Sequence, residues 1–332
     1  MRSLPNQSES SSCMSHGIYR RVFPDDVAPI GYIRYLCFGL TPIQDLSPYR
    51  CSDTHRCTDT KMDRQLTNTT GQQLSAEWYK QRRVRLTASN FYDILQHMNK
   101  HNHKIKKAKK PLPIGIYKRY QSKKMGNDKV SYVDLAMDYG NFYEKTAIRA
   151  VNRFFGGRHN IENCGLFYSE DHPFLAATPD GIVKDKAGKI LYCIEVKCPF
   201  NQRWKCKPPK YLKKHHKTGY WRMLEDSIYY PQVQGQLLCT GARRCVFAAW
   251  TPAKTYVCVV PRNEQYIQWM VNQLTRYYVE AYFPSIQASS DIPPEFHAMV
   301  QHIQLRKQLK ESGNACADVD ACAVITNEDK IK

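Results

Sequence analysis

Glu195 and Lys197 have the types and spacing of residues that could act together on a bound ion. The run Ile190–Lys197 alternates in the period of a β-strand, so these two side chains share one face, about 7 Å apart. Burying two such charges is costly unless they pair with each other or bind an ion. Pro199 cannot donate to a sheet and ends the strand. The pattern predicts a charged site at the carboxyl end of this strand.

Asp180 is predicted to be the second acid of this site. It lies in residues 178–181 (TPDG), at a break in the preceding strand-like run, and residues 185–189 form a hairpin turn between the two strands. A tight turn there places Asp180 opposite Glu195, although a bulge at Gly181 would shift the register by one residue. Two carboxylates beside an ammonium suit a hard cation. Mg²⁺ fits best, because it binds few protein oxygens and keeps positions for phosphate and water.

The same residues also have a simpler interpretation, a partly buried ion pair between Glu195 and Lys197 beside a turn aspartate. A third acid, Glu144, lies on a helix predicted to precede the strands. The combination of the turn, the spacing and this third acid favours the metal site over the isolated ion pair.

The surrounding elements predict an α/β core with a mixed central sheet flanked by helices. Ser75 and Thr87 are predicted to cap two short helices. Hydrophobic periodicity predicts longer helices and several strands. The helices are expected over 134–155, 227–238, 263–282 and 294–310, and the strands over 165–168, 174–183, 190–197, 245–250 and 256–260.

The chain is predicted to contain one folded domain, residues 73–285, between two extensions. Residues 1–72 are rich in polar side chains without periodicity and are expected to be loosely ordered. Residues 286–332 are expected to form one helix and a polar tail. Cys51, His55 and Cys57 could ligate zinc, but their spacing matches no paired-ligand motif, and an incidental loop is the alternative.

The chain has 332 residues, with 49 Lys and Arg against 30 Asp and Glu, and a formal net charge of +19. This surplus favours nucleic acid as a partner, because each cation that meets a phosphate releases counterions. An apolar fraction of 42% excludes wholesale disorder. No apolar run approaches the roughly 20 residues of a membrane span, and no secretory signal is evident. We therefore expect an intracellular protein that does not enter a membrane, in the nucleus if its host is eukaryotic.

Two basic stretches, residues 103–124 and 203–222, are predicted to meet DNA. In the second, Lys205 would contact the phosphate backbone and Trp204 would stack on an unpaired base. A solvated loop with a few rings anchored in the core is the alternative. Residues 104–110 (KIKKAKK) also have the composition of a nuclear import signal.

Five motifs, in order, resemble the family of phage lambda exonuclease and the YqaJ-type viral recombinases, within the PD-(D/E)xK nuclease superfamily. Pro179 and Asp180 followed by Glu195, Val196 and Lys197 resemble the superfamily motif itself. The resemblance spans about residues 73–250. The other matching segments are 78–89 (WYKQRRVRLTAS), 139–144 (YGNFYE), 195–200 (EVKCPF) and 230–234 (YPQVQ).

This resemblance implies a Mg²⁺-dependent deoxyribonuclease that digests duplex DNA from 5′ ends in recombination, repair or viral DNA processing. Asp180, Glu195 and the main-chain carbonyl of Val196 would ligate metal. Glu144 would bind a second ion or position water. Lys197 would orient the attacking water or help to deprotonate it. Mn²⁺ could replace Mg²⁺ as the metal. Gln232 would support the site.

The resemblance also implies that Arg82, Ser89 and Thr178 hold a 5′-terminal phosphate, with Arg85 as a neighbouring alternative arginine. A single-strand annealing protein and a ring-shaped homotrimer follow from the resemblance alone. Two rival functions stay open at this point: an endonuclease of the same superfamily, and a catalytically silent DNA-binding scaffold for recombination.

Overall fold

The structure is a computed structural model that describes residues 73–102, 132–289 and 292–311. The predictions for residues 1–72, for the zinc motif within them and for the basic stretch 103–124 lie outside the described residues. None of the helices within the described ranges combines the length and the apolar character needed to cross a bilayer.

Seven α-helices are described. Ser75 caps the first, because its hydroxyl accepts a hydrogen bond from the Trp78 main-chain N–H at 3.1 Å, as predicted. Thr87 makes no such cap bond, and a 3₁₀ turn, Ala88–Asn90, separates it from the second helix. The helices are α1 (Ala76–Arg83), α2 (Phe91–Asn102), α3 (Tyr132–Phe154), α4 (Tyr230–Thr240), α5 (Glu264–Tyr277), α6 (Phe283–Ile286) and α7 (Pro294–Glu311).

Within the described residues, nine strands form two sheets. The smaller sheet has the order β1-β3-β2 and the larger β4-β5-β8-β9-β7-β6. In the larger sheet β5 pairs with β8, and β7 with β9, in parallel, while the other pairs are antiparallel. The predicted mixed sheet flanked by helices is therefore confirmed. The strands are β1 (Leu86–Thr87), β2 (Phe167–Tyr168), β3 (Leu175–Ala177), β4 (Gly181–Lys184), β5 (Ile190–Lys197), β6 (Leu212–Lys214), β7 (Trp221–Met223), β8 (Arg244–Trp250) and β9 (Thr255–Pro261).

The β4–β5 hairpin has the register that the sequence predicts. Gly181 lies opposite Ile194, and the main-chain N–H of Asp180 donates to the Ile194 carbonyl at 3.0 Å. The irregularity in the ladder falls between Val183 and Lys184, beyond the site, and not at Gly181. The turn therefore brings Asp180 beside Glu195.

The two faces of β5 pack into separate hydrophobic clusters. Side chains on one face, with those of β8 and β9, pack against α4, and side chains on the other face pack against α3. Each fully buried aliphatic or aromatic side chain in these clusters contributes about 1.5–3 kcal/mol relative to exposure. Because Glu195 points to the α4 face, this helix is the element that meets its carboxylate. The α4-side cluster includes Cys193, Val233, Leu237, Phe247 and Cys258, and the α3-side cluster includes Ala147, Val151, Ile194, Val196 and Val246.

Candidate active site

Glu195 lies at the centre of a polar group buried in the sheet, with only 1% of its surface exposed. Its Oε1 atom accepts hydrogen bonds from Lys197 Nζ at 2.5 Å and from Gln232 Nε2 at 2.7 Å. Its Oε2 atom accepts from Gln236 Nε2 at 2.5 Å. A buried charge is tolerated when it is paired and hydrogen-bonded, and three donors meet that condition here.

Two glutamines of α4 reach the same carboxylate because they lie one helical turn apart on one face. The sequence predicted a supporting role for Gln232 but missed Gln236. The Gln236 side-chain oxygen accepts a hydrogen bond from the Cys245 thiol at 3.9 Å, so the amide nitrogen of Gln236 is the atom that faces Glu195. The spacing of the two glutamines on a predicted helix was a signal that could have revealed this residue.

Asp180 stands beside this group and is partly buried. Its Oδ2 atom accepts the Val196 main-chain N–H at 2.7 Å. Burial, followed by the nearby charge of Glu195, raises the pKa of Asp180 well above its ordinary value, although Lys197 works in the opposite direction. The pKa of Glu144 is also raised, by burial first and then by Glu195. The three acids therefore interact electrostatically.

Lys197 supplies the positive charge of the site. Burial alone lowers the pKa of its ammonium, but Glu195 and Asp180 outweigh burial and raise that pKa above the ordinary value. Its Nζ atom also lies 5.3 Å from the centre of the Tyr229 ring. In this arrangement Lys197 is a protonated donor, which favours the predicted role of orienting water over that of removing a proton.

The donor set fits a divalent ion with few protein ligands. Asp180 and Glu195 are two acids whose like charges work against each other, and a cation between them would relieve that repulsion. With the Val196 carbonyl they suit Mg²⁺, which usually binds one or two carboxylates and keeps several waters. Across the described ranges, no three His, Cys, Asp or Glu side chains are gathered closely enough to hold a metal by themselves. Glu144 as a ligand of a second ion therefore stays a prediction.

A second polar group surrounds Trp78. The Arg82 guanidinium carbon lies 4.1 Å from the centre of the Trp78 ring, and Trp78 Nε1 donates to Thr178 Oγ1 at 3.1 Å. Arg82 Nη2 donates to Thr87 Oγ1 at 3.4 Å, and the hydroxyls of Thr87 and Ser89 are also 3.4 Å apart. The three residues predicted to hold a phosphate are thus linked through Trp78 and Thr87. We refer to Trp78, Arg82, Thr87, Ser89 and Thr178 as the Arg82 group.

Arg85, the alternative arginine, does not join the Arg82 group. It is only 8% exposed, and it donates to the main-chain carbonyls of Pro173 at 2.8 Å and Gln81 at 3.0 Å. Burial lowers the pKa of its guanidinium to about 10. The phosphate contact predicted for Arg85 is corrected to a structural one, because its donors hold the backbone of α1 and of the β2–β3 loop.

Trp204 and Lys205 lie on the surface just beyond the carboxyl end of β5. They follow a 3₁₀ turn, Phe200–Gln202, and the Trp204 side chain is 71% exposed. Lys205 is exposed as well. Both are accessible to a ligand, and their contact with DNA stays a prediction.

The fold and the site together define the class. A mixed sheet in which a hairpin joins an aspartate to a glutamate and a lysine on the next strand has the PD-(D/E)xK arrangement. Residues 77–243, which are 167 of the 332 residues, match the YqaJ-like viral recombinase domain. The chain belongs to this family, and membership supports a nuclease that acts on DNA.

Several solved structures are similar to this chain. An alkaline exonuclease from Laribacter hongkongensis is 19% identical, with 71% of this chain and 100% of that chain covered and a TM-score of 0.40. The same enzyme in complex with dAMP is 20% identical, with the same coverage and TM-score. A phage-related exonuclease from Haemophilus somnus 129PT is 11% identical, with 58% of this chain and 93% of that chain covered and a TM-score of 0.37. No curated protein sequence matches this chain.

Proposed function

We propose that the chain is a divalent-metal-dependent exonuclease that degrades duplex DNA from 5′ ends. The observation that carries the proposal is the meeting of Asp180, Glu195 and Lys197 in one buried polar group. Such a group has little value for folding alone, because burial and the charge of Glu195 both raise the pKa of Asp180 and so oppose the burial of its charged form. Its value is catalytic.

The acids would hold Mg²⁺ or Mn²⁺ through Asp180, Glu195 and the Val196 carbonyl. When bound, the ion would supply the charge that neutralises the phosphate, acidifies water and stabilises a departing oxygen, and Glu144 would hold a second ion with the same role. Lys197 orients the attacking water and stabilises developing negative charge.

Glu195 is kept in place for this role by donors that do not react. Gln232 and Gln236 fix the two carboxylate oxygens from one face of α4. Groups that orient a ligand in this way are usually worth 10–100-fold, by order of magnitude, in metal affinity or activity.

The Arg82 group supplies the preference for an end. A guanidinium binds two phosphate oxygens at once, and stacking on Trp78 holds it in one orientation. Thr178 lies two residues before Asp180, about 6.6 Å along an extended chain. A terminal phosphate at Thr178 would therefore put the next phosphodiester beside the acids.

The same proposal extends to assembly and partners. An exonuclease that exposes single strands during recombination would act together with a single-strand annealing protein that binds them. A ring-shaped homotrimer enclosing the DNA would make digestion processive. Both rest on family membership, and analytical ultracentrifugation of the pure protein tests the ring by its mass.

Incubation of the pure protein with end-labelled linear duplex and with closed circular duplex, each with and without Mg²⁺, tests the proposed activity. We expect loss of nucleotides from linear DNA only, and only with the metal. Cutting of circles would replace the proposal with an endonuclease. No cutting of either DNA would replace it with a DNA-binding scaffold.

A comparison of 5′-phosphate with 5′-hydroxyl ends tests the Arg82 group. We expect faster digestion of the phosphorylated end, and Arg82→Gln should remove that difference. Arg149→Gln, on the exposed side of α3, is the matched control and should keep the preference. An unchanged preference in the Arg82 variant would contradict the assignment.

A further inference from the structure

Positive charge is concentrated in residues 203–222, the segment that leads into and includes the β6–β7 hairpin, and these cations form no ion pair within the described ranges. Residues 203–222 contain eight Lys and Arg and neither Asp nor Glu. The ion pairs found within the described ranges involve other cations. The eight are Arg203, Lys205, Lys207, Lys210, Lys213, Lys214, Lys217 and Arg222.

The hairpin itself carries four of these cations on a base that packs against the sheet: Lys213, Lys214, Lys217 and Arg222. Leu212 and Met223 are buried in the α4-side cluster, and the Trp221 ring packs edge-on against Tyr256 at 5.2 Å. The cluster thus fixes both strands of the hairpin against β9 and α4. A set of cations on a fixed surface suits a partner with fixed charge spacing better than diffuse counterions.

The pairing within the hairpin places like charges opposite each other. Lys213 faces Arg222 across the two strands, and both side chains are exposed. Like charges directly opposite destabilise an antiparallel pair. Lysines do protect edge strands from unwanted pairing, but protection does not require a second cation opposite. A polyanion bound here would attract both cations and so offset the repulsion between them.

One row of residues across the large sheet connects the hairpin to the active site. Glu195 lies opposite Phe247, Phe247 opposite Cys258, Cys258 opposite Trp221, and Trp221 opposite Lys214. Lys214 is therefore four strands from Glu195, or about 19 Å at ~4.8 Å per strand.

The direction of the strands puts the hairpin turn at the same end of the sheet as the site. From the pairing of neighbours, β6 runs parallel to β5. The turn after Lys214, with His216 and Lys217, thus lies at the same end of the sheet as Lys197.

We propose that Lys213, Lys214, Lys217 and Arg222, the hairpin cations, bind the phosphate backbone of the duplex that enters the active site. The inference rests on the proposed function and adds the path of the DNA to it. A distance of about 19 Å corresponds to about five or six base pairs at ~3.4 Å per step along one strand. The hairpin cations therefore contact the backbone that far from the phosphodiester at Asp180 and Glu195.

The test compares two double variants by DNA binding at several salt concentrations in EDTA, where no cutting occurs. Lys214→Gln with Lys217→Gln removes two hairpin cations. Lys186→Gln with Lys189→Gln removes two cations from the β4–β5 turn, at the opposite edge of the same sheet. All four substitutions replace surface lysines, and thermal melting checks that the variants are folded.

The hairpin variant should lower the slope of log affinity against log salt by about 1.8, since each phosphate contact contributes about 0.9. Between 50 and 200 mM salt, that slope difference means that the variant loses about tenfold less affinity than the wild type. The control variant should keep the wild-type slope. An unchanged slope in the hairpin variant, or an equal change in the control, would overturn the proposal.

Cleavage by the same variants tests the predicted distance. With Mg²⁺, the hairpin variant should cut a duplex of about 20 base pairs less efficiently at physiological salt, yet cut a 5′-phosphorylated DNA stem-loop, whose stem of about four base pairs is too short to reach the hairpin cations, at the wild-type rate. An equal loss on both substrates would overturn the proposal, because it would mean a disturbed site. If the wild type binds duplex without cutting it, the proposed function fails while the slope measurement still decides the role of the hairpin.

Discussion

At the scale of single residues, the decisive feature is that the carboxylate of Glu195 is held by donors on both of its oxygens. Lys197 and Gln232 meet Oε1, and Gln236 meets Oε2. Removing one donor leaves a buried charged oxygen undersatisfied, which costs more than a hydrogen bond in water gains. The site is therefore sensitive to residues that never touch DNA.

Gln236→Leu should reduce the cleavage rate by roughly 10–100-fold, because Glu195 Oε2 loses its donor and the carboxylate can rotate. Steady-state cleavage of linear duplex at saturating Mg²⁺ measures the effect. Gln273→Leu, on α5, is the matched control, since the buried Gln273 oxygen has no hydrogen-bond partner in the structure. Equal rates in the Gln236 variant and the wild type would contradict a positioning role.

Asp180→Asn should abolish cleavage and yet stabilise the metal-free protein at neutral pH. The folded pKa of Asp180 is raised, so its folded form binds the proton more tightly than the unfolded chain does. Wild-type stability should therefore fall as pH rises from the ordinary aspartate range through the raised folded pKa.

The Asp180→Asn variant should lack the part of this fall in stability that comes from ionisation of Asp180. Its amide oxygen can still accept the hydrogen bond from the Val196 N–H. Urea unfolding in EDTA at several pH values measures the difference between the two proteins. A variant that is less stable than the wild type at every pH would contradict the expectation.

At the scale of elements, α4 completes the site, because its side chains donate hydrogen bonds to the carboxylate on β5. It contributes both glutamines, and it approaches α2 closely because Gly235 has no side chain. A Cβ atom at Gly235 would lie 2.5 Å from the Phe91 ring and 3.0 Å from Ala88 Cβ. The close approach holds α4, the helix that carries both glutamines, directly against Phe91 and Ala88.

Gly235→Ala should destabilise the protein by about 1–3 kcal/mol, because overpacking exceeds the gain in helix propensity. Gly140→Ala on α3 is the matched control: nothing lies within 4 Å of its added Cβ. That substitution should instead stabilise by about 0.5–1 kcal/mol. Thermal melting of both variants measures the two shifts, and a stabilised Gly235 variant would contradict the close approach.

At the scale of the whole domain, the carboxyl-terminal elements hold the amino-terminal ones in place. Tyr278, in the π-helical turn Tyr278–Tyr282, donates to the Val84 carbonyl at 2.9 Å, across 194 positions of sequence. Its ring stacks on Phe174 with centres 4.6 Å apart. This contact fixes the end of α1, the helix that presents Arg82.

Tyr278→Phe should cost about 1–3 kcal/mol, because it leaves the buried Val84 carbonyl without this donor. It should also weaken the preference for 5′-phosphorylated ends. Tyr282→Phe removes a similar bond, to the Arg83 carbonyl at 2.7 Å, at an exposed position, and should cost less. Unfolding free energies together with end-preference assays measure both, and equal costs would contradict the role of burial.

The sequence was sufficient for features that local rules determine. The bounds of β5 and the register of its hairpin follow from alternation and from turn length, so Asp180 could be placed beside Glu195. Ser75 could be identified as a cap by its type and position. The site's charged residues were found because charges are rare inside apolar strands.

Features that depend on packing could not be predicted. Strands β6 and β7 have three residues each, too few for a visible period among so many lysines. Arg82 and Arg85 have the same chemistry, and only the position of Pro173 makes one of them structural. The partner of Gln236 depends on how α4 lies on the sheet, which its own sequence does not state.

The most direct measurement is the rate of nucleotide release from 5′-phosphorylated linear duplex as Mg²⁺ is titrated, for the wild type and for Lys197→Ala. We expect a rate that rises from zero with Mg²⁺ in the wild type. In the variant we expect a rate that is lower by several orders of magnitude at every Mg²⁺ concentration. A metal-independent wild-type rate, or a variant that cuts as fast as the wild type, would contradict the claim that these buried charges form a nuclease site.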